Sequence, residues 1–268
     1  MNTAPSVNLP EIVSLWPSGE VPFSGPEDGE LPRLTVYLPS EEYRTGQSVL
    51  ILPGGGYGGL SSAKEGHRPA QYLNAHGIAA AVLEYRHAPQ RHPVPLVDAQ
   101  RGLRRLRAFA DEHGLSTEHV GVMGFSAGGH LAGTLSTQLS VEAGLAGDTF
   151  DKCSCRPDFA VLIYPVVSLS APWSHFGSRD NLLGVPADPE LAERLSIEKA
   201  VTPDTPRMFL VHAQNDGGVP VANSLVLTQA LRDHGVPADL HVYSEGGHGF
   251  GMAANHEWGP ALLTWLAR

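Results

Sequence analysis

The feature that most restricts the fold is a series of short, nearly uninterrupted apolar segments separated by stretches with helical spacing. These segments cover residues 49–52, 78–85, 120–124, 159–164 and 208–212, and shorter mixed ones cover residues 34–38 and 240–243. A strand that is apolar throughout must be buried on both faces, which is typical of a parallel sheet with helices on both sides. The alternation therefore predicts an α/β fold with a mostly parallel sheet.

The stretches between these segments repeat apolar residues at helical spacing and often end at a glycine. In residues 95–113, Leu96, Leu103 and Leu106 fall on one helical face, and Gly114 follows as a stop signal. Further helices are predicted over residues 70–76, 127–139, 219–234 and 260–266. Parallel strands need such crossover connections, so the helices and the strands support the same fold.

The length of 268 residues suits one large α/β domain, which we assign to residues 31–268. Residues 1–30 are rich in Pro, Gly, Ser and Glu and lack periodicity, so they are predicted to form an extended N-terminal arm. Residues 166–206 are the longest stretch without a predicted strand. They follow a strand end, where insertions over a functional site usually occur.

Charge and composition restrict the partners. The formal net charge is −10, and the three lysines, Lys64, Lys152 and Lys199, form no basic stripe, so neither nucleic acid nor membrane is an expected partner. Cys153 and Cys155 alone cannot make a metal site, and we expect no metal and no cofactor. Residues 1–23 lack the basic start and apolar run of a secretion signal, which predicts a cytoplasmic protein unless a signal was removed earlier. The oligomeric state stays open.

A candidate nucleophile lies in the segment Gly124-Phe125-Ser126-Ala127-Gly128, which matches the pattern G-x-S-x-G. The pattern alone is weak, but here an apolar strand precedes it and a helix follows. A sharp strand-to-helix turn lifts the hydroxyl of Ser126 out of the sheet, and the helix N-terminus favours negative charge beside it. The alternative is a glycine-rich turn in which Ser126 only caps the helix.

A second glycine-rich segment, Pro53-Gly54-Gly55-Gly56-Tyr57, follows the strand over residues 49–52. Acyl transfer builds negative charge on a carbonyl oxygen, and glycines let backbone N–H groups approach that oxygen closely. The segment lacks the Lys-Ser/Thr of a phosphate-binding loop and the spacing of a dinucleotide-binding fingerprint. A loop without catalytic function is the remaining alternative.

Enzymes with this strand–serine–helix turn carry an acid and then a histidine on loops after later strands. Asp216 follows the segment 208–212, and His248 follows the last predicted strand, so both fit this order. The rival acid Asp239 opens the last strand and lies too near His248 in sequence. Of the rival bases, His241 lies within a strand and His256 lies beyond the loop.

Several motifs taken together resemble one known family. They are Leu52-Pro53-Gly54-Gly55-Gly56-Tyr57, Glu65-Gly66, Glu84-Tyr85-Arg86, Gly124-Phe125-Ser126-Ala127-Gly128-Gly129-His130-Leu131-Ala132, His212, Asp216, Val219-Pro220 and Gly247-His248-Gly249-Phe250. The set resembles the acetyl-xylan and feruloyl esterase branch of the α/β-hydrolases, which is related to the hormone-sensitive-lipase-like esterases. Pro53 stands where the lipase-like relatives have the His of His-Gly-Gly-Gly, which favours the xylan-esterase branch.

The resemblance covers nearly the whole chain from about residue 33 and implies a mostly parallel, eight-stranded α/β-hydrolase fold without a large cap domain. It implies Ser126, Asp216 and His248 as the catalytic triad. It also implies an oxyanion hole made by the backbone N–H groups of Gly55, Gly56 and Ala127.

The expected function is that of a serine carboxylesterase without metal or cofactor. Its substrate is predicted to be a small-molecule or oligosaccharide ester with a short acyl group, foremost acetyl, on a sugar or small alcohol. Tyr57 and Trp173 are candidate substrate-binding residues, and Trp173, His175 and Phe176 could either fold over the site or pack within their own loop. An arylformamidase or a peptidase of the same fold is the alternative enzyme. A catalytically inactive binding module, which would predict a damaged triad position, is the alternative of another class.

Overall fold

The computed structural model describes residues 9–16, 21–24, 32–138, 145–252 and 257–268. Its strands are β1 (Glu11–Ser14), β2 (Arg33–Tyr37), β3 (Ser48–Leu52), β4 (Ala79–Glu84), β5 (Val120–Phe125), β6 (Ala160–Ile163), β7 (Met208–Ala213) and β8 (Ala238–Tyr243). They form one eight-stranded sheet in the order β1-β2-β4-β3-β5-β6-β7-β8. Pairing is antiparallel for β1–β2 and β2–β4 and parallel from β4 to β8, so the predicted mostly parallel sheet is confirmed.

The helices are α1 (Arg68–Ala75), α2 (Val94–Glu112), α3 (Ala127–Thr137), α4 (Phe176–Leu183), α5 (Pro189–Arg194), α6 (Ala222–Asp233) and α7 (Trp258–Leu266). Short 3₁₀ turns cover Glu41–Tyr43, Thr149–Lys152 and Ile197–Lys199, and a π-helical turn covers Ser62–His67. In the part of the chain that the structure describes, no helix is long and apolar enough to span a membrane.

Successive side chains of a strand point to opposite faces of the sheet, so each central strand contributes to two cores. Leu50 and Leu52 of β3 belong to the core formed with α2, α3 and α6. Val49 and Ile51 of the same strand belong to the core formed with α1 and α7. Burial on both faces is the reason that β3 to β7 are almost entirely apolar.

Two regions differ from the sequence-based expectations, and a third agrees with them. Residues 11–14, within the predicted arm, form β1, an edge strand with mostly exposed side chains that carries little apolar pattern. Residues 166–206, predicted to lack a strand, contain α4, α5 and a 3₁₀ turn and no strand. The helix predicted over residues 127–139 ends at Thr137, and residue 139 lies outside the described residues.

A buried ion pair joins the end of β4 to α2. Arg86 donates to both carboxylate oxygens of Asp98, at 3.0 Å through Nε and 2.7 Å through Nη2, and its backbone N–H donates at 2.9 Å. The guanidinium also donates to the carbonyl oxygen of Pro22 at 2.7 Å, and the indole N–H of Trp16 donates to Asp98 at 3.4 Å. The pair therefore holds the N-terminal segment against the sheet.

We predict that Asp98→Ala lowers the free energy of unfolding by about 3–5 kcal/mol, because it leaves the buried guanidinium of Arg86 without its carboxylate. Denaturant unfolding followed by circular dichroism measures the change. The matched control is Glu84→Ala, which breaks the more exposed pair with Arg33 and is expected to cost at most about 1 kcal/mol. Equal losses for the two variants would contradict the role given to Asp98.

Candidate active site

The turn between β5 and α3 places Ser126 in a conformation that few residues other than glycine adopt. Its φ is 53° and its ψ is −119°, and α3 begins at the next residue, Ala127. The chain is crowded there: a Cβ at Gly124 would lie 2.1 Å from the carbonyl oxygen of Gly128, and one at Gly128 would lie 2.1 Å from that of Leu52. The glycines of the G-x-S-x-G pattern are thus a steric requirement of the turn.

Ser126 begins a chain of hydrogen bonds that includes the predicted base and acid. Its Oγ lies 2.8 Å from Nε2 of His248, and Nδ1 of His248 lies 2.7 Å from Oδ2 of Asp216. Asp216 follows β7 and His248 follows β8, so residues from three strand ends meet at one edge of the sheet. If Nδ1–H of His248 donates to the carboxylate, Nε2 is free to accept the hydroxyl proton of Ser126.

The surroundings of Asp216 favour its ionised form. Oδ1 accepts hydrogen bonds from the backbone N–H groups of Gly218 at 2.9 Å and Val219 at 2.8 Å, and Oδ2 lies 3.5 Å from Nε2 of His212. Burial by itself raises the pKa of Asp216, but the hydrogen bonds from His212, His248 and Val219 outweigh burial and hold that pKa well below its usual value. The carboxylate therefore remains charged and can orient His248.

Residues 53–57 include two of the predicted oxyanion donors and are called the oxyanion loop below; they form a tight turn next to Ser126. Gly55 and Gly56 have φ values of 139° and 64°, and a Cβ at Gly55 would lie 2.1 Å from the carbonyl oxygen of Gly59. Only glycine fits such a turn without rearrangement. Within the described residues, the backbone N–H groups of Gly55, Gly56 and Ala127 have no hydrogen-bond acceptor in the protein. They are available to an oxygen of a ligand.

The side chain of Tyr57 does not lie where the sequence analysis expected it. It is 1% exposed, and its hydroxyl forms a 2.8 Å hydrogen bond with Nδ1 of His130. His130 in turn donates through Nε2 to the carbonyl oxygen of Leu195 at 2.8 Å, and burial lowers the pKa of His130 to about 4, which keeps it neutral. The prediction of a substrate contact through this side chain is therefore corrected: Tyr57 supports the oxyanion loop from the protein interior.

The region before and within α4 contacts the oxyanion loop. Asn181 donates to the carbonyl oxygen of Gly56 at 2.9 Å, and Cε1 of His175 lies 4.0 Å from the Cβ position of Gly56. Burial and the neighbouring His248 lower the pKa of His175. No sequence pattern marks Asn181. Trp173 is partly exposed in the preceding turn, and its contact with substrate stays a prediction.

The rival residues lie apart from this arrangement. Asp239 forms a salt bridge of 3.2 Å with Arg268, and the His241 ring packs against Phe209 with centroids 4.8 Å apart. His256 lies outside the described residues. The structure thus brings together Ser126, His248 and Asp216 rather than Asp239 or His241.

Comparison with known proteins agrees with this geometry. The sequence model of the BD-FAE family matches residues 34–231. An acetylxylan esterase of Xylanibacter ruminicola is 34% identical over 90% of this chain and 48% of its own length. An endo-1,4-beta-xylanase B of Butyrivibrio fibrisolvens is 31% identical over 90% of this chain and 38% of its own length. The chain therefore spans less than half the length of these two curated relatives.

Solved structures extend the comparison. The acetyl ester-xyloside bifunctional hydrolase of Caldicellulosiruptor lactoaceticus is 37% identical, covers 98% of both chains and superposes with a TM-score of 0.91. The esterase Est2 of Thermogutta terrifontis, 21% identical with a TM-score of 0.74 over 96% of this chain and 90% of its own, shares the fold. With a family model matching well over half of its residues, this chain belongs to the BD-FAE family, in the acetylxylan-esterase-like part of the α/β-hydrolases that its motifs predicted.

Proposed function

We propose that this chain is a serine carboxylesterase that hydrolyses short-chain acyl esters, foremost acetyl esters, of a sugar or small alcohol. The observation that carries the proposal is the hydrogen-bond chain Ser126–His248–Asp216, with distances of 2.8 and 2.7 Å, next to the oxyanion loop. The names of the relatives, an acetylxylan esterase and an acetyl ester-xyloside hydrolase among them, support the same class of reaction.

In this reaction, Oγ of Ser126 attacks the ester carbonyl carbon while Nε2 of His248 takes the hydroxyl proton. The carbonyl oxygen becomes negatively charged and is stabilised by the free N–H groups of Gly55, Gly56 and Ala127. The tetrahedral intermediate collapses, and the alcohol leaves with the proton from His248. Water then attacks the acyl-enzyme with His248 again as base, which releases the acid and restores Ser126. Asp216 keeps His248 in the required tautomer and stabilises its protonated form.

The preference for a short acyl group rests on the chain available around the site. Lipase-type caps bind long acyl tails with amphipathic helices, whereas the described part of the N-terminal arm contains β1 and turns. Residues 166–206 hold two short helices and a 3₁₀ turn, and α4 contacts the oxyanion loop through Asn181. We therefore expect the part of the site that holds the alcohol group of the ester to be open to a larger group such as a sugar.

Ser126→Ala is expected to lower kcat by about 10⁶-fold and to abolish labelling by a fluorophosphonate probe, because the nucleophile is lost. The variant should unfold at the same denaturant concentration as the wild type. Ser136→Ala in α3, whose hydroxyl donates to a helix carbonyl oxygen, is the matched control and should keep full activity. A tenth of wild-type activity in Ser126→Ala would disprove the assignment, and an unlabelled wild type would favour an inactive binding module.

Asp216→Asn is expected to reduce kcat by about 10⁴-fold, because the amide favours the wrong tautomer of His248. Asp239→Asn, on the next strand and paired with Arg268, is the control and should leave kcat unchanged. Steady-state kinetics on nitrophenyl acetate measures both. If the control variant lost activity and Asp216→Asn kept it, the acid would be assigned wrongly.

Among nitrophenyl esters, kcat/KM is expected to be highest for acetate to butyrate and to fall for longer chains. A fitting pocket contributes up to about 0.8 kcal/mol per methylene, and we expect no such gain beyond butyrate because the described residues include no lipase-type cap to line a longer tail. Acetate release from an acetylated xylo-oligosaccharide should accompany this profile. A maximum at octanoate without release of acetate from the sugar would refute the substrate class, and faster cleavage of an aryl formamide would favour the arylformamidase alternative.

A further inference from the structure

Glu65 is a buried carboxylate that the mechanism above does not use. It lies in the π-helical turn Ser62–His67 before α1 and is 5% exposed. Such turns interrupt regular helices, frequently at functional sites. Burying a carboxylate is costly unless its oxygens accept hydrogen bonds, and within the described residues Glu65 forms no salt bridge. Its hydrogen-bond partners therefore explain why it is there.

One carboxylate oxygen of Glu65 holds the oxyanion loop. Oε2 accepts the backbone N–H of Gly54 at 3.0 Å, immediately before the proposed donor Gly55. A Cβ at Gly54 would lie 2.5 Å from this oxygen and 2.9 Å from Cβ of Ser126. Gly54 is thus fixed between Glu65 and the nucleophile, and the position of Gly54 determines where the N–H of Gly55 points.

The other oxygen of Glu65 reaches the loop that carries His248. Oε1 accepts the hydroxyl of Tyr164 at 2.9 Å, and the same hydroxyl accepts the backbone N–H of Gly251 at 3.0 Å. The Tyr164 ring packs edge-on against His248, with centroids 5.1 Å apart. Burial, followed by the charge of Glu65, raises the pKa of Tyr164, so the phenol keeps the proton that it donates.

Tyr164 adopts a backbone conformation that has a cost of its own. Its φ of 37° is unusual for a residue other than glycine. Such strain persists where the surrounding contacts determine the conformation. The strained turn after β6 thus directs the phenol towards Glu65 and Gly251, where it forms its two hydrogen bonds.

We propose that Glu65 is a positioning residue of the esterase site: through Gly54 and through Tyr164–Gly251 it fixes the oxyanion loop and the His248 loop relative to each other. This inference rests on the proposed function. Oxyanion donors and base must be aligned in the same transition state, and a misplacement of about 1 Å can cost 10²-fold in rate. The four hydrogen-bonded groups, Gly54, Glu65, Tyr164 and Gly251, are called the Glu65–Tyr164 link below.

The kinetic test uses two variants that keep the size of each side chain. Glu65→Gln offers one acceptor to two donors, and Tyr164→Phe keeps the ring but removes the hydroxyl. Each is expected to lower kcat by roughly 10- to 100-fold, less than the 10²–10³ reported for direct loss of an oxyanion donor, while KM changes less than about 2-fold. The double variant should be about as slow as the slower single variant, because both break the same link.

Two controls separate positioning from general stability. Tyr37→Phe removes a tyrosine hydroxyl that bonds His67 at the end of the same π-helical turn, and Glu84→Gln changes a carboxylate of β4 outside the link. Both should retain wild-type kcat. A boronic acid that forms an adduct with Ser126 should bind Glu65→Gln more weakly by the same factor as the loss in kcat/KM, at a temperature where the variant is fully folded.

Amide hydrogen exchange tests the link without relying on catalysis. Tyr164→Phe should speed exchange in peptides covering residues 248–252, and Glu65→Gln should speed it in both 248–252 and 53–59. Wild-type kcat in Glu65→Gln, additive losses in the double variant, or unchanged exchange in both peptides would overturn the proposal. If the wild-type protein showed no esterase activity while the two variants still exchanged faster in these peptides, the proposed function would be refuted and the link would stand.

Discussion

The close approach of the ends of β3 and β5 to the start of α3 is the constraint on which the rest of the site depends. At Gly124 and Gly128 the backbones approach so closely that a single added carbon would lie 2.1 Å from a carbonyl oxygen. This proximity forces the chain to turn sharply at Ser126, which therefore carries the strained φ of 53°. Packing of the sheet and both helical layers must supply the free energy that holds this turn.

The same closeness brings the oxyanion loop to Ser126, the proposed nucleophile. β3 pairs with β5 in parallel register, with Leu52 opposite Gly124, so the loop after β3 and the turn after β5 leave the sheet side by side. The pairs β5–β6, β6–β7 and β7–β8 continue this order towards Asp216 and His248. A parallel sheet thus collects at one edge residues that lie far apart in sequence.

The sequence predicted those parts of the molecule whose cause is local. Strands buried on both faces are visible as apolar runs, and the turn at Ser126 is visible because only glycine fits beside it.

β1 was missed because an edge strand with exposed side chains needs no apolar pattern. The prediction for Tyr57 was wrong for a different reason. A tyrosine after a glycine-rich loop can point to a ligand or to the interior, and the residue that decides this, His130, is 73 residues away in sequence. The contacts of Glu65 and Asn181 also depend on segments that only the tertiary fold brings together.

These distant contacts share one target. The oxyanion loop is held by Glu65 at the N–H of Gly54, by the Tyr85 hydroxyl at the carbonyl oxygen of Pro53 at 2.6 Å, and by Asn181 at that of Gly56. Tyr57 anchors its end to neutral His130. None of these contacts uses the N–H groups of Gly55 and Gly56. A loop held at these points needs little rearrangement when charge develops on a substrate oxygen, and such preorganisation is what makes electrostatic stabilisation effective. In the proposed reaction, the hydrogen bonds that surround the loop contribute by fixing the N–H groups of Gly55 and Gly56.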